Sequence, residues 1–274
     1  MTSLPSASPA TAIGPLLQHW RKSRNLSQLA LAHEADVSPR HICFLETGRS
    51  RPSREMVMLL SKVLDVPLRE RNAMLLSAGF APIFTQSPLD APELRAVQTA
   101  LHAILRQQEP YPAVVMNRHW DLVQANEAAS RFFSLLLGER PATEPANVVR
   151  LMFDPNGLRP CVSNWDIVAE TLLQRVHREA VGGVPDAATH ELLAEVLAYP
   201  GVPKHLGRLH LGAPSVPVIP ICFCKGDQVF NYFSAVTTLG TPQDVTLQEL
   251  RIEAFFPADP ATEERARALR DSAP

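Results

Sequence analysis

The sequence of 274 residues contains no run of about 18 apolar residues, the length at which a segment is read as a transmembrane helix. Residues 1–12 contain no lysine, no arginine and no apolar core, so we expect no signal peptide there. There are only four cysteines, and Cys222 and Cys224 would supply just two metal ligands. These absences predict a cytoplasmic protein with free thiols, no metal site and no membrane partner. The other two cysteines are Cys43 and Cys161.

Catalytic motifs are also missing. His190 and Glu191 are not followed by the second histidine of a zinc-binding helix, and no glycine-rich phosphate loop is present. None of the nine histidines stands at a motif spacing from a cysteine or an acidic residue. The sequence therefore disfavours an enzyme. An enzyme acting on acyl substrates would need a nucleophile beside a base, and none is visible.

The composition is that of a globular protein with an uneven distribution of charge. Apolar residues make up 46% of the chain, which excludes wholesale disorder. The length suggests one large or two small domains. Although the net charge is only −2, residues 13–54 carry seven lysines and arginines against three acidic residues, a net charge of +4. A basic segment on an acidic body indicates that one part of the chain meets an anionic partner.

Residues 13–80 show the pattern of five short helices, preceded by a disordered tail at residues 1–12. Ser27, Ser38 and Ser53 stand where helix N-caps are expected, and Pro39 occupies the favoured first position of the third helix. Two of the predicted helices meet across Asp36 and Val37, and the second of them has a polar outer face. This arrangement predicts a compact helix-turn-helix domain whose third helix fits the DNA major groove.

The segment from Ser27 to Pro52 resembles the phage-repressor-like (XRE) helix-turn-helix family, through its opening Ser27-Gln28 and the run Leu45-Glu46-x-Gly48-Arg49-x-x-Pro52. The resemblance implies that Gln28, Ser38, Pro39, Arg40 and Phe44 approach DNA. His41 shares the outer face, and Arg49 and Arg51 follow the helix where they can neutralise phosphates. Asp36 replaces the usual glycine, but Asp tolerates a left-handed backbone, and Glu46 is expected to be structural. The alternative is a five-helix interaction module that binds no DNA.

Beyond the helical domain, residues 81–109 are interpreted as a linker and a connecting helix, Glu93–Gln108, which either joins the domains or pairs with its twin in a dimer. Residues 110–260 mix strands with helices, and residues 261–274 are expected to form a charged tail that is either helical or frayed. The fold class is therefore multidomain, an all-α domain followed by an α+β domain. The predicted strands are Ala113–Met116, Leu122-Val123, Val216–Cys224, Gln228–Thr237 and Thr246–Phe256; the predicted helices begin at Asn126 or span Asn164–Arg178 and Ala187–Ala198.

Four segments of the second domain carry a further resemblance. They are NRHWDLVQANEAA at 117–129, LMFDPNGL at 151–158, Asn164-Trp165, and GTPQDVTLQELRIEAFFP at 240–257. The first resembles the opening of a PAS-like sensor domain, and together they resemble the MmyB-like regulators. The resemblance implies a one-component transcription factor, which we expect to be a homodimer that binds a pseudo-palindromic operator. Its PAS-like domain would hold a fatty acid or a similar apolar, fatty-acyl-like ligand as the only bound group.

Aromatic residues concentrate in this second domain and supply the candidate lining of a ligand pocket. Asn126, Arg150 and Asn164 are candidates for a carboxylate head group, since arginine is the natural bidentate partner of a carboxylate. Most of the aromatic residues are needed for core packing in any case. The alternative is a second domain that serves only dimerisation or protein docking. The remaining candidates for the lining are Trp120, Phe132, Phe133, Met152, Phe153, Trp165, Phe223 and Phe233.

Overall fold

The computed structural model describes residues 13–138, 146–181, 187–203 and 220–271. The chain divides into two compact units. The first comprises the chain up to Gln86 together with Pro242–Gln248, and the second comprises Ser87–Thr241 and Glu249–Pro274. The boundary between the two units, after Gln86, falls within the predicted linker and connecting helix at 81–109, so residues 81–86 group with the helical unit and residues 87–109 with the mixed unit.

Five helices build the first unit: α1 (Ile13–Ser23), α2 (Gln28–Glu34), α3 (Pro39–Glu46), α4 (Arg54–Val63) and α5 (Leu68–Ser77). The expected caps are present, since the side chains of Ser27, Ser38 and Ser53 accept hydrogen bonds from the backbone N–H three residues on. These caps satisfy N–H groups that have no partner inside a helix. The apolar stripes meet in one core that includes Leu17, Trp20, Leu31, Ile42, Leu45, Val57, Leu60 and Leu64.

Two backbone features fix how α3 lies against its neighbours. Asp36, in the turn between α2 and α3, has a φ of 52°, so the turn survives without glycine. Gly14 in α1 lies directly against the end of α3, because a Cβ atom placed there would stand 2.4 Å from the carbonyl oxygen of Glu46. Any larger residue at position 14 would push α1 away from the third helix.

A segment distant in sequence completes the first unit. The Val245 N–H donates to the carbonyl of Thr85 over 2.8 Å, and the Thr85 hydroxyl donates to Asp244 Oδ2 over 2.8 Å. The Leu68 N–H donates to Oε1 of Gln248 over 2.6 Å. These bonds hold Pro242–Gln248 against the helical unit.

The second unit is built on a five-stranded antiparallel sheet with the order β2-β1-β5-β4-β3. Its strands are β1 (Ala113–Met116), β2 (Leu122–Ala125), β3 (Ile221–Lys225), β4 (Gln228–Thr237) and β5 (Arg251–Pro257). Its helices are α6 (Arg95–Gln107), α7 (Glu127–Leu137), α8 (Val148–Phe153), α9 (Trp165–Val181) and α10 (Ala187–Ala198), with short 3-10 turns at Pro92–Leu94 and Arg159–Cys161. A short helix, α11 (Val245–Glu249), precedes β5, and α12 (Pro260–Asp271) follows it.

Three expectations about this region can be compared with the structure. The predicted strand Thr246–Phe256 is wrong in its first half, which forms α11, because Asp244 Oδ1 accepts the N–H of Thr246 and starts a helix there. The charged tail forms the helix α12 rather than fraying over its described part, since α12 buries Thr262 and Ala266 and the Thr262 N–H donates to Asp259. The third strand begins at Ile221, and residues 216–219 of the predicted Val216–Cys224 lie outside the described residues.

Candidate functional site

The outer face of α3 and the segment that follows it bring together an aromatic ring and two arginines. The guanidinium carbon of Arg40 lies 5.1 Å from the centroid of the Phe44 ring, and that of Arg49 lies 5.9 Å from it. Both distances are within cation–π range. Ser38, Pro39, Arg40, Arg49 and Arg51 are exposed, whereas His41 and Phe44 are half-buried. The surface exposed here is therefore positively charged, and the Phe44 ring restrains the side chains of Arg40 and Arg49.

Beneath this surface lies a buried ion pair that ties three helices together. Arg21 of α1 donates to Glu46 at the end of α3 through Nε over 2.6 Å and through a terminal nitrogen over 2.9 Å. Gln28, at the start of α2, donates its amide N–H to the same carboxylate over 2.8 Å. Glu46 is therefore structural. The sequence predicts that the Gln28 amide reaches a DNA phosphate. In the structure, the nitrogen of this amide is hydrogen-bonded to Glu46 inside the unit.

The ionisation of Glu46 follows from these contacts. Burial disfavours the charged carboxylate, but the hydrogen bonds from Arg21 and Gln28 and the charge of Arg21 outweigh burial, so the pKa of Glu46 is lowered. The carboxylate therefore stays charged and holds the start of α2 against the end of α3.

The second unit contains a cavity of about 260 Å³ between the inner face of the sheet and the helices α7, α8 and α9. Most of its wall is aliphatic or aromatic, as expected of a small-molecule site. The lining residues are Val114, Trp120, Leu122, Phe133, Leu137, Ala146, Val148, Leu151, Met152, Leu158, Val168, Thr171, Leu172, Arg175, Ile221, Phe223, Ser234, Glu253 and Phe255.

The charged residues of this wall are joined to one another. Arg175 of α9 lies 3.4 Å from Glu253 of β5, measured from guanidinium nitrogen to Oε2, and its guanidinium carbon is 4.4 Å from the centroid of the Trp120 ring. The hydroxyl of Ser234 on β4 donates to Glu253 Oε1 over 2.6 Å. Arg175, Glu253 and Ser234 are not among the residues predicted from the sequence. One signal was available, since Arg175 continues the apolar stripe Val168, Leu172 at helical spacing.

Trp120 occupies a strained position on the cavity wall. Its φ of 68° is rare for a bulky residue, and the turn is held by Asn117, whose Oδ1 accepts the N–H groups of His119 and Asp121. Trp120 is 1% exposed, and its indole Nε1 has no hydrogen-bond partner among the residues that the structure describes. A strained residue with an unsatisfied donor on the wall of a cavity is typical of a functional site.

The structure brings four of the sequence-predicted ligand residues to the cavity: Trp120, Phe133, Met152 and Phe223. The other predicted aromatic residues do not line it. Phe132 packs edge-to-face on Phe223, Phe230 and Tyr232 in the core. Phe153 is buried against Trp165, whose Nε1 donates to the carbonyl of Met152. Phe233 points to the opposite face of the sheet, where it stacks on Phe256.

The three predicted head-group residues also lie away from the cavity, and each is held by partners. Asn126 caps α7, with its Oδ1 accepting the N–H groups of Ala113 and Ala129. Arg150 forms an ion pair with Glu195 at the surface, which raises the pKa of Arg150. Asn164 binds the start of β3: its Oδ1 accepts the N–H of Cys222, and its amide nitrogen donates to the carbonyl of Pro220. None of the three lines this cavity, because local capping and surface pairing take up these groups.

Within the described ranges of the chain, no three histidine, cysteine or acidic side chains converge as a metal site would require. The four cysteines are free. Among the helices that the structure describes, none is both long and apolar enough to span a membrane.

Comparison with known proteins gives two family matches. Residues 97–269, more than half of the chain, match the MmyB-like transcription regulator ligand binding domain, and residues 17–71 match a helix-turn-helix family. No curated protein matches the chain. Among solved structures, an RNA-binding light-oxygen-voltage receptor is similar at 12% identity with a TM-score of 0.30. That alignment covers 95% of this chain, which spans only 60% of the receptor chain.

Proposed function

Because the chain belongs to the MmyB-like transcription regulators and carries a helix-turn-helix unit, we propose that a fatty-acyl-like molecule in its cavity controls its binding to an operator. The coarser description, a DNA-binding transcription regulator with a ligand-binding domain, follows from the two family matches. The observation that carries the finer proposal is the cavity of about 260 Å³ with its mainly apolar wall. Such a regulator would act in the cytoplasm, where its operator lies.

The DNA contacts that we propose follow from the exposed face of α3. Arg40 reaches base edges in the major groove, where arginine reads guanine through two hydrogen bonds. Stacking on Phe44 limits the conformations that the Arg40 side chain must lose on binding. Arg49 and Arg51 contact phosphates. Two copies of the chain place their α3 helices one helical turn apart on a pseudo-palindromic operator.

The cavity also argues against the alternative, in which the second unit serves only dimerisation or docking. Native cores contain few voids larger than a water molecule, because empty space forfeits packing energy. The cavity of about 260 Å³ beside the strained backbone of Trp120 is far larger than such voids, and dimerisation or docking alone does not require it. The cavity therefore supports the ligand-binding function.

Chain continuity suggests how ligand and operator are coupled. Residues 242–248 are hydrogen-bonded within the helical unit, and the chain runs from them directly into β5, which supplies Glu253 and Phe255 to the cavity wall. A ligand that displaces β5 by a small amount would act on the helical unit through this covalent connection. Allosteric coupling requires such a shared element with two arrangements.

The DNA half of the proposal is tested by selecting operators from random duplexes and titrating the enriched sequence by fluorescence anisotropy. Arg40→Ala should weaken binding to the selected operator while leaving binding to random DNA nearly unchanged. Arg150→Ala is the matched control, since it removes an exposed arginine from the second unit. Equal effects of the two variants would contradict the proposal.

The ligand half is tested by native and denaturing mass spectrometry of the purified protein, with an organic extract of the same sample. We expect one apolar molecule per chain, released on denaturation and absent from Val168→Trp, which fills the cavity. Ile167→Trp is the control, because Ile167 is the adjacent residue of α9 and is 54% exposed. Circular dichroism checks that both variants fold. A molecule retained by Val168→Trp would place its site elsewhere.

A further inference from the structure

Phe44 places an apolar ring beside the guanidinium of Arg40 on the outer face of α3. The two residues are one helical turn apart, with Arg40 near the start of the helix and Phe44 near its end, and the guanidinium carbon lies 5.1 Å from the ring centroid. Arg40 is exposed and Phe44 is half-buried, so part of Phe44 remains open to solvent next to the guanidinium. The pair therefore presents a hydrogen-bonding fork next to an apolar surface.

The backbone after α3 holds the Phe44 ring in this position. The N–H groups of Arg49 and Ser50 both donate to the carbonyl of Phe44, over 2.9 and 3.2 Å, and Gly48, with a φ of 71°, allows the chain to turn back. The turn brings the guanidinium carbon of Arg49 to 5.9 Å from the centroid of the same ring. Two cations thus restrain the ring, and it cannot move far from Arg40 without losing both contacts.

The chemistry of the bases selects what such a pair can read. An arginine that donates two hydrogen bonds to O6 and N7 of guanine has its planar guanidinium in the plane of that base. Stacked base pairs are about 3.4 Å apart, so a ring centroid 5.1 Å from the guanidinium carbon lies beside the neighbouring base pair. Among the DNA bases, thymine is the one with an apolar group in the major groove, its C5 methyl, and phenylalanine makes apolar contact with this methyl.

The order of the two bases follows from the stacking of B-form DNA. The methyl of a thymine projects over the major-groove edge of the guanine that follows it on the same strand, which is the edge that Arg40 would bond. A step from thymine to guanine is also easily deformed, which lowers the cost of fitting a helix into the groove. Building on the proposed DNA binding, we propose that each operator half-site contains a thymine followed directly by a guanine. Arg40 reads the guanine, and Phe44 is the specificity-determining residue for the thymine.

The test removes one methyl group from the operator selected from random duplexes. Replacing the proposed thymine by 2′-deoxyuridine keeps every hydrogen bond of the base pair and deletes only the C5 methyl. Because burial of one methyl corresponds to about fourfold in affinity, we expect the full-length protein to bind about fourfold more weakly for each methyl removed, measured by fluorescence anisotropy. The same replacement at a thymine in the flanking DNA is the control and should change nothing.

Cytosine methylation gives a second measurement of the same methyl. When the thymine·adenine pair is exchanged for cytosine·guanine, the neighbouring guanine that Arg40 reads stays in place. The operator carrying 5-methylcytosine at this position should then bind about fourfold more tightly than the operator carrying unmethylated cytosine, since the two differ only by the C5 methyl.

The outcomes separate this inference from the function on which it rests. Equal affinities for the thymine and deoxyuridine operators would overturn the inference and leave the DNA-binding function standing, as would selected half-sites in which no thymine precedes a guanine. If no duplex is enriched, the DNA-binding function fails and the inference with it.

Variants assign the effect to Phe44. Phe44→Ala should bind the thymine and deoxyuridine operators equally within about twofold, because the ring that contacts the methyl is gone. Phe84→Ala is the matched control and should keep the fourfold preference: Phe84 is also half-buried in the helical unit and lies 5.9 Å from the guanidinium carbon of Arg71, but on the segment after α5. Circular dichroism checks that both variants fold. An undiminished preference in folded Phe44→Ala would refute the role of Phe44.

Discussion

Replacing Glu46 by alanine should destabilise the helical unit more than any surface substitution, because it leaves the Arg21 charge buried without its partner. The carboxylate accepts two hydrogen bonds from Arg21 and one from Gln28, and the residue is 9% exposed. Breaking one side of such a buried pair costs about 3–5 kcal/mol. For a unit of this size, the loss corresponds to a fall in melting temperature of roughly 12 °C or more.

Differential scanning calorimetry of the full-length protein measures this loss, with the matched double variant Arg21→Met, Glu46→Leu beside it. Because the double variant removes both charges, we expect it to recover most of the lost stability. A loss under about 1 kcal/mol in Glu46→Ala, the value typical of an exposed pair, would refute the reasoning. A double variant no more stable than the single one would also refute it, since the penalty would then not arise from an unpaired charge.

Four further predictions concern the helical unit. Arg40→Ala should lower the affinity for the selected operator by about 1–3 kcal/mol, measured by anisotropy, through the loss of one base contact. Arg51→Ala should weaken binding to all sequences alike and reduce the slope of log affinity against log salt by about one. Because the pKa of Glu46 is lowered from its ordinary value of 4.5, the carboxylate contributes stability above pH 4.5, and this contribution is lost as the pH falls further. The free energy of unfolding of Glu46→Gln should therefore depend less steeply on pH below 4.5. Asp244→Ala, which breaks the bond to Thr85 and the cap of α11, should leave ligand affinity unchanged but reduce the effect of ligand on operator affinity.

The helical unit could largely be predicted from the sequence, because its signals are local. A serine cap, an apolar stripe and a proline at the first position each act within one or two helical turns. The left-handed backbone at Asp36 also follows from the type of residue at one position. The attachment of Pro242–Gln248 to this unit could not be predicted, because its partners Thr85 and Leu68 lie more than a hundred residues away in sequence.

The binding cavity could be predicted only in part, because its wall depends on pairings between distant elements. Trp120 and Phe223 were found by their size and hydrophobicity. Arg175 and Glu253 meet only because α9 lies over β5, and nothing in either local pattern indicates the partner. Asn126, by contrast, looked available for a ligand but serves as a helix cap, a role that its position before α7 already allowed.

The most direct test of the account is the thermodynamic linkage between the two units. Purified protein is stripped of bound molecules, one portion is reloaded with its own organic extract, and both are titrated with the selected operator. We predict that operator affinity differs by at least about fivefold between the two portions, the lower end of typical allosteric couplings, and that Val168→Trp abolishes the difference. Equal operator affinity in the stripped and reloaded protein would contradict the claim that the cavity controls DNA binding.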